Sequence, residues 1–251
     1  MEKYTIPNKL PSKQVNILAQ RKARIKRNVG ANKPNTKSIK KKFKTFTKPE
    51  VIIANFRKAE RDSMRMKRVI YDRNLNVDNV GEHQLALIFR HRGDFIPNKS
   101  IANILKALHI NRKRMCALIR LTAEKKAMLK LVEPYVTWGF PNISTIRDLI
   151  YKYGVFKTVE NNNEKHKIIS ISCNKQIEDR LGHLGIICLE DLLHEIITVG
   201  QNFDAVIKLF GCFKLKEPVG GYKNRKGLIF KKGGESGFRG EKINNFFKRL
   251  L

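Results

Sequence analysis

Charge divides this chain into segments, and only its middle has the charge balance of an ordinary folded domain. Residues 1–73 contain 22 Lys and Arg against 5 Asp and Glu, whereas residues 85–215 contain 20 against 12. Residues 216–251 return to 10 against 3. We therefore expect a compact body with cationic extensions at both ends. Such a chain is suited to a dense polyanion, most commonly a phosphate backbone, because neutralising phosphates releases condensed counterions.

Composition narrows the class of protein further. With 251 residues, 41% of them hydrophobic, the chain can bury one sizeable core, or one core and a satellite. No run approaches eighteen uncharged apolar residues, and the first residues lack the apolar segment of a secretory signal, so no membrane association is expected. The four cysteines lie far apart without a CxxC pair, which excludes a zinc ribbon. They indicate reduced thiols in a cytosolic or nuclear protein.

The first part of the chain is predicted to hold a basic, partly disordered extension over residues 1–48 and a long basic helix over residues 49–73. Pro49 lies at the first turn of that helix, where its missing N–H is tolerated. The helix has an intermittent apolar stripe and a mainly cationic remainder, which favours RNA or an acidic partner beside it. Within the extension, Phe43 and Phe46 interrupt a lysine run, a pattern suited to phosphates and stacked bases. The alternative is a solvated segment whose aromatic rings pack locally.

Residues 74–84 are predicted as a linker, after which the hydrophobic pattern becomes that of a packed core over residues 85–140. Strands are predicted where apolar and β-branched residues run between breakers, and helices where apolar residues recur at helical spacing. The predicted order is strand 85–92, a helix entered at Pro97, strand 115–121, helix 124–131 and strand 135–140. This β-α-β-α-β order predicts an α+β fold, a small sheet with helices on one face.

The remainder of the chain divides in two. Residues 141–215 are predicted as a more helical second half, beginning with a helix that Asn142 caps and Gly154 closes. Residues 216–251 are predicted as a basic, glycine-rich tail that ends in an amphipathic stub from Ile243 onwards.

Catalytic chemistry has one candidate cluster, Glu190, Asp191 and His194, which could hold a divalent metal for phosphodiester cleavage. An ordinary helix explains the same residues, because two carboxylates in a first helical turn complement the helix dipole. The zincin, Walker A and GxGxxG patterns are all missing. We therefore expect no enzymatic activity, no metal, no cofactor and no small-molecule substrate. A metal-dependent ribonuclease is the alternative from another class.

Two blocks of sequence resemble a known family. Residues 132–142 read Val-Glu-Pro-Tyr-Val-Thr-Trp-Gly-Phe-Pro-Asn, and residues 185–196 read Gly-Ile-Ile-Cys-Leu-Glu-Asp-Leu-Leu-His-Glu-Ile. Both are similar to hallmark blocks of the eukaryotic ribosomal protein L-seven family, whose short bacterial and archaeal relative is ribosomal protein L-thirty. Further blocks agree in order, so the resemblance spans about residues 51–251. The chain departs from it at Val219, where a basic residue is usual, and within residues 237–241.

The resemblance implies an L-thirty-like, ferredoxin-like core with an added helical half, binding to large-subunit ribosomal RNA and no enzymatic activity. Neighbouring ribosomal proteins or assembly factors are the implied protein partners, in the nucleolus, the cytoplasm or both. Residues 48–68, 136–141 and 238–241 are more similar to the L-seven-like paralogues, which act in large-subunit assembly before the mature protein binds. Assembly and rRNA maturation are therefore the favoured function, and a stable constituent of the mature cytosolic large subunit is the alternative.

Lys and Arg side chains are expected to bind RNA phosphates, and the folded body to recognise RNA shape. Arginines are expected to matter most, because a guanidinium binds phosphate through two parallel hydrogen bonds or stacks on a base. By resemblance, Pro97 and Lys99 correspond to the family's Pro-Lys entry into the first domain helix. The predicted RNA-contacting residues are Arg21, Lys22, Arg24, Lys26, Arg27, Lys40, Lys41, Lys42, Phe43, Lys44, Arg57, Arg61, Arg65, Lys67, Arg68, Lys99, Arg112, Lys113, Arg114, Lys223, Arg225, Lys226 and Arg239.

Overall fold

The computed structural model describes residues 46–71, 84–159, 166–210 and 212–251. Its helices are α1 (Pro49–Tyr71), α2 (Lys99–Ala107), α3 (Ala123–Leu131), α4 (Ile143–Tyr153), α5 (Lys175–Leu181), α6 (Leu189–Thr198), α7 (Phe203–Phe210) and α8 (Ile243–Lys248). Its strands are β1 (Gln84–Arg90), β2 (Met115–Leu121), β3 (Val136–Gly139), β4 (Val155–Val159), β5 (His166–Ser170), β6 (Phe213–Lys214) and β7 (Gly237–Phe238). Within these ranges no helix is both long enough and apolar enough to cross a bilayer.

The central sheet has the strand order β6-β2-β1-β3-β7. β1 pairs antiparallel with both β2 and β3, so that Ile88 faces Ala117 on one side and Trp138 on the other. The edge strand β6 is antiparallel to β2, whereas β7 is parallel to β3. The predicted α+β fold and its β-α-β-α-β core are therefore confirmed.

Helices cover both faces of this sheet, because successive side chains of a strand point to opposite sides. Ala86 and Ile88 of β1 pack with α2 and α3, the two helices of the predicted core. Leu87 and Phe89 point the other way, into a larger cluster. The second half of the chain supplies that cluster, through buried residues of α4, α6, α7 and α8. The helical second half is thus the other half of one sandwich around the sheet.

Residues 216–251 differ from the predicted tail, because they are built into the body. β7 joins the sheet at Thr137 and Trp138, entered through Gly237 at a φ of 82° that favours glycine. Phe246 and Phe247 of α8 are buried and lie with ring centroids 5.6 and 6.1 Å from that of Phe89. The predicted amphipathic stub is therefore a core helix.

The hairpin β4–β5 was not predicted. It pairs Val155 with Ser170 and Val159 with His166, directly after α4. Residues 161–165 read Asn-Asn-Asn-Glu-Lys, which predicts a surface turn or insertion, and they lie outside the described residues. The capping predictions for α4 are correct: the Asn142 side chain accepts a hydrogen bond from the Thr145 N–H at 2.9 Å, and Gly154 is the C-cap.

Candidate nucleic-acid interface

One end of the central sheet collects several basic loops. β1 ends at Arg90, next to the start of β2 and of β3, because both neighbours run antiparallel to it. The loops at residues 91–98 and 108–114 therefore emerge side by side. We call this region the basic end.

A buried arginine holds the two loops together. The Arg90 guanidinium donates to the backbone carbonyls of Arg92 at 3.3 Å and Ile110 at 3.1 Å, and also to those of Gly93 and Asn111. The residue is 2% exposed, and burial lowers its pKa from the ordinary arginine value. Four backbone carbonyls from two loops accept hydrogen bonds from this one side chain. The two loops are therefore held in a fixed position relative to each other.

Four predicted RNA-contacting residues lie at the basic end. Lys99 is the exposed first residue of α2, whose N-cap is Asn98. Arg112 and Arg114 are exposed and form no ion pair with any residue in the described ranges. Lys113 is partly neutralised, because its Nζ lies 3.8 Å from Asp94 and 3.6 Å from Glu217.

The long basic helix α1 docks beside the basic end through polar contacts. Tyr135 donates a hydrogen bond from its hydroxyl to the Asp62 carboxylate. The Asn98 amide donates to the Ser63 hydroxyl at 3.1 Å, and the Lys58 ammonium donates to the Phe95 carbonyl at 3.3 Å. These contacts bring α1 against the loop that leads into α2.

The predicted cations of α1 divide between its two sides. Arg57, Arg61, Lys67 and Arg68 are exposed on the helix surface. Arg65 instead turns toward the body, where its Nε lies 3.9 Å from Asp62 and burial lowers its pKa. We therefore leave Arg65 out of the RNA-contacting set.

The C-terminal segment adds cations to the same end. The His91 ring donates from Nε2 to the Lys226 carbonyl at 2.7 Å, which ties this segment to the residue after β1. Lys223 and Arg225 are exposed, and the Lys226 ammonium lies 4.2 Å from the centre of the Tyr222 ring.

Arg239 is a correction to the predicted set. Its side chain is 7% exposed and pairs with the equally buried Glu235. The guanidinium also donates to the Thr137 hydroxyl at 2.7 Å and lies over the Phe230 and Phe246 rings. Every face of this group is occupied by protein, so Arg239 joins β7 to the core and is not available to RNA.

Other basic residues near this end were missed in the sequence. Arg92 is exposed immediately after β1, and Lys214 is exposed on the edge strand β6. Lys106 is exposed on α2, seven residues after Lys99. Two helical turns separate them, so helical periodicity alone could have identified Lys106 as a neighbour of Lys99 on one face.

Two arginines elsewhere on the body form ion pairs. The Arg120 guanidinium lies 3.9 Å from Asp204 and donates to the Gly200 carbonyl at 3.0 Å. Arg147 of α4 lies 3.3 Å from Glu190 of α6. Arg112 and Arg114 of the basic end differ from these two arginines because they have no such carboxylate partner within the described ranges.

The cluster on which the ribonuclease alternative depends, Glu190, Asp191 and His194, does not form a metal site in the structure. Asp191 accepts the Cys188 N–H at 3.0 Å and caps α6, and these contacts lower its carboxyl pKa. Glu190 is engaged by Arg147 and by the Tyr151 hydroxyl at 2.7 Å. The described part of the chain contains no group of three or more His, Cys, Asp and Glu side chains that could hold a metal.

The remaining predicted contacts lie outside the described residues. They are Arg21, Lys22, Arg24, Lys26, Arg27, Lys40, Lys41, Lys42, Phe43 and Lys44. They stay predictions from the sequence.

Fold and surface together define a basic α+β protein with a group of exposed cations, unpaired within the described part of the chain, at one end of its sheet. The chain belongs to the uL30 family of large ribosomal subunit proteins. It is 36% identical over 209 residues to the large ribosomal subunit protein uL30 of Neurospora crassa, covering 82% of this chain and 80% of that protein. It is 34% identical over 250 residues to uL30 of Caenorhabditis elegans, covering 97% and 98%.

A third relative, the large ribosomal subunit protein uL30B of Schizosaccharomyces pombe, is 36% identical over 236 residues, covering 93% of this chain and 90% of the relative. These relatives are named as ribosomal proteins and not as enzymes, in agreement with the non-enzymatic prediction. No protein-family model matches the chain.

Proposed function

We propose that this protein binds the ribosomal RNA of the large subunit through the basic end and the exposed cations of α1. The observation that carries the proposal is the group of exposed cations on loops that Arg90 holds in place. Arg112, Arg114 and Lys99 form no ion pair within the described ranges, whereas Arg120 and Arg147 on other surfaces do. Membership of a family of large ribosomal subunit proteins supports rRNA as the polyanion.

Binding of this kind is driven mainly by phosphate contacts. Each Lys or Arg that neutralises a phosphate releases a counterion, so the observed affinity falls with salt concentration. A surface held in place by Arg90 can match the spacing of phosphates on a folded RNA, which selects shape and not base sequence. The folded body would thus select RNA of a particular shape, and the cations would supply most of the affinity.

We further propose that the protein acts in assembly of the large subunit and in rRNA maturation, and that it is located in the nucleolus. Of the three blocks that resemble the L-seven-like paralogues, residues 136–141 and 238–241 contact each other, and residues 48–68 contact Tyr135 directly before β3; this proximity supports their interpretation as one unit. Asp62 of α1 accepts a hydrogen bond from Tyr135 beside β3, and Arg239 donates to Thr137 within β3. Trp138 and Phe238 stack with centroids 4.5 Å apart.

Replacing two arginines of the basic end tests the RNA proposal. Arg112→Gln with Arg114→Gln should weaken binding to large-subunit rRNA and flatten the plot of log affinity against log salt by roughly 1.5, since each phosphate that is no longer neutralised lowers the slope by about 0.7–0.9. Arg147→Gln is the matched control, because its guanidinium is already paired with Glu190. Equal slopes for the two variants would show that the basic end does not contact RNA.

Sedimentation of the tagged chain tests the assembly proposal. An assembly factor should migrate with nucleolar precursor particles and be missing from translating polysomes. Co-migration with polysomes would instead support the second candidate, a stable constituent of the mature subunit, which the names of the relatives favour.

A further inference from the structure

A small cleft opens within the basic end, between α2 and the two loops that Arg90 holds together. Its volume is about 250 Å³. It is lined by Phe95 and Ile96 of the first loop, Asn103 and Lys106 of α2, and Asn111 of the second loop. The cleft is smaller than the pockets of about 300–1,000 Å³ that enclose drug-sized ligands. It has room for one planar group.

The lining has the chemistry of a nucleobase site. Phe95 is 64% exposed, so its ring is accessible to a stacking partner. The Asn103 and Asn111 side chains form no hydrogen bond to any residue in the described ranges, and each offers both donors and an acceptor. An aromatic platform beside free amides is suited to the face and the edge of a base.

The platform is held in place before any ligand arrives. The Phe95 carbonyl accepts the Lys58 ammonium of α1 at 3.3 Å. Arg90 binds the carbonyls of Gly93 and Asn111, one in each of the two loops beside the cleft. Because Phe95 and the loops are already ordered, binding loses little conformational entropy. A single stacked group can then contribute measurably to the affinity.

Charge around the cleft also fits a nucleotide. Lys106 lines the cleft, and the exposed Arg112 lies directly after Asn111. One carboxylate, Asp94, borders the cleft, and Lys113 at 3.8 Å offsets its charge. Phosphates on either side of an inserted base would therefore meet cations.

We propose that the cleft receives one unstacked base of the bound RNA. The base stacks on Phe95, its polar edge bonds to Asn103 and Asn111, and Lys106 holds an adjacent phosphate. The inference rests on the proposed function, which it refines: the basic end binds a single-stranded or bulged position and not only continuous helix, since bases within A-form duplexes are not accessible for stacking.

Substitution of Phe95 separates stacking from charge. Phe95→Ala should lower the affinity of the full chain for large-subunit rRNA by about tenfold, because one base–aromatic stack contributes on that order. The salt slope should not change, since every phosphate keeps its cation. Phe95→Trp should retain wild-type affinity. Affinity of Phe95→Ala within twofold of wild type would overturn the proposal.

Crosslinking provides an independent readout. Ultraviolet irradiation of the full chain on large-subunit rRNA, followed by mass spectrometry of peptide–nucleotide adducts, should yield an adduct at Phe95. Adducts confined to the basic residues would contradict the base site while leaving the RNA proposal intact. Failure of the RNA proposal itself looks different: Arg112→Gln with Arg114→Gln would then have the same salt slope as wild type.

Discussion

His91 carries its proton on one ring nitrogen and stays uncharged in the folded protein at neutral pH. It is fully buried, and burial lowers its pKa to about 4, with the nearby Arg239 and Arg92 charges acting in the same direction. Its Nε2–H is used by the Lys226 carbonyl, whereas Nδ1 has no partner among the residues described. A second proton would therefore place an unpaired charge inside the basic end.

Acid should destabilise the protein through this residue. The unfolded chain has an ordinary histidine pKa near 6.5 and so binds more protons than the folded chain between pH 6.5 and about 4. Keeping His91 neutral therefore costs no free energy of unfolding above pH 6.5. As the pH falls, the free energy of unfolding decreases, by about 2 kcal/mol at pH 5. Urea unfolding of wild type and His91→Gln at pH 7.5 and pH 5 measures it.

The His91→Gln variant should lose less free energy of unfolding between pH 7.5 and pH 5 than wild type does. His183→Gln is the matched control, because it makes the same substitution at an exposed position. Identical pH dependence in wild type and His91→Gln would show that His91 does not titrate in this way.

Single residues also mark the limit of prediction from the sequence. Arg112 and Arg239 both lie in basic segments, and the sequence treats them alike. Only the folded chain brings Thr137, from a strand about one hundred residues earlier, to the guanidinium of Arg239. Burial of a charge depends on such distant partners, so it could not be predicted from local composition.

At the scale of elements, α1 is unusual because it has no buried residue along its 23 positions. Its hydrogen bonds with the body are few: Asp62 and Ser63 accept one each and Lys58 donates one, and Met66 packs at the edge of the core. Helical stability in proteins comes mostly from a packed apolar face. We therefore expect α1 to open locally while the sheet stays intact.

Hydrogen exchange measured by mass spectrometry tests this expectation with Tyr135→Phe, which removes the hydroxyl that binds Asp62 and keeps the buried ring. Amides of α1 should exchange about tenfold faster, in line with the removal of a hydrogen bond to a charged group. Peptides of β1 and β2 should not change. Tyr151→Phe removes a comparable hydroxyl–carboxylate bond elsewhere and should leave α1 unaffected. Faster exchange throughout the Tyr135→Phe chain would mean that α1 and the sheet open together.

Elements with a clear periodic pattern could be predicted, and very short ones could not. β2 was predicted with the bounds that the structure has, because a continuous apolar run is a local signal. β6 and β7 are two residues each, too short for any alternation. Their pairing follows from the core that forms around α8, so the C-terminal segment was interpreted as a tail.

At the scale of the whole molecule, charge and fold make separate contributions. Residues 1–48 contain 15 Lys and Arg against one acidic residue, the largest share of the net charge of +30. Phosphate contacts of this kind carry no information about shape or sequence. The basic end has fewer cations, but they are fixed relative to one another by Arg90 and α1. Preference for one RNA should therefore come from the body, and most of the affinity from the N-terminal segment.

Removing residues 1–48 should separate the two contributions. The truncated chain should bind large-subunit rRNA more weakly and with a flatter salt slope, because fewer neutralised phosphates release fewer counterions. It should bind heparin, an equally dense polyanion, more weakly by a similar factor, so that the preference for rRNA over heparin is kept. The full-length Arg112→Gln, Arg114→Gln chain should behave in the opposite way, with a modest loss of affinity and a reduced preference. Competition binding at two salt concentrations measures both quantities, with circular dichroism to verify that the truncated chain is folded. If truncation abolished the preference instead, the N-terminal segment and not the basic end would be the part that recognises RNA.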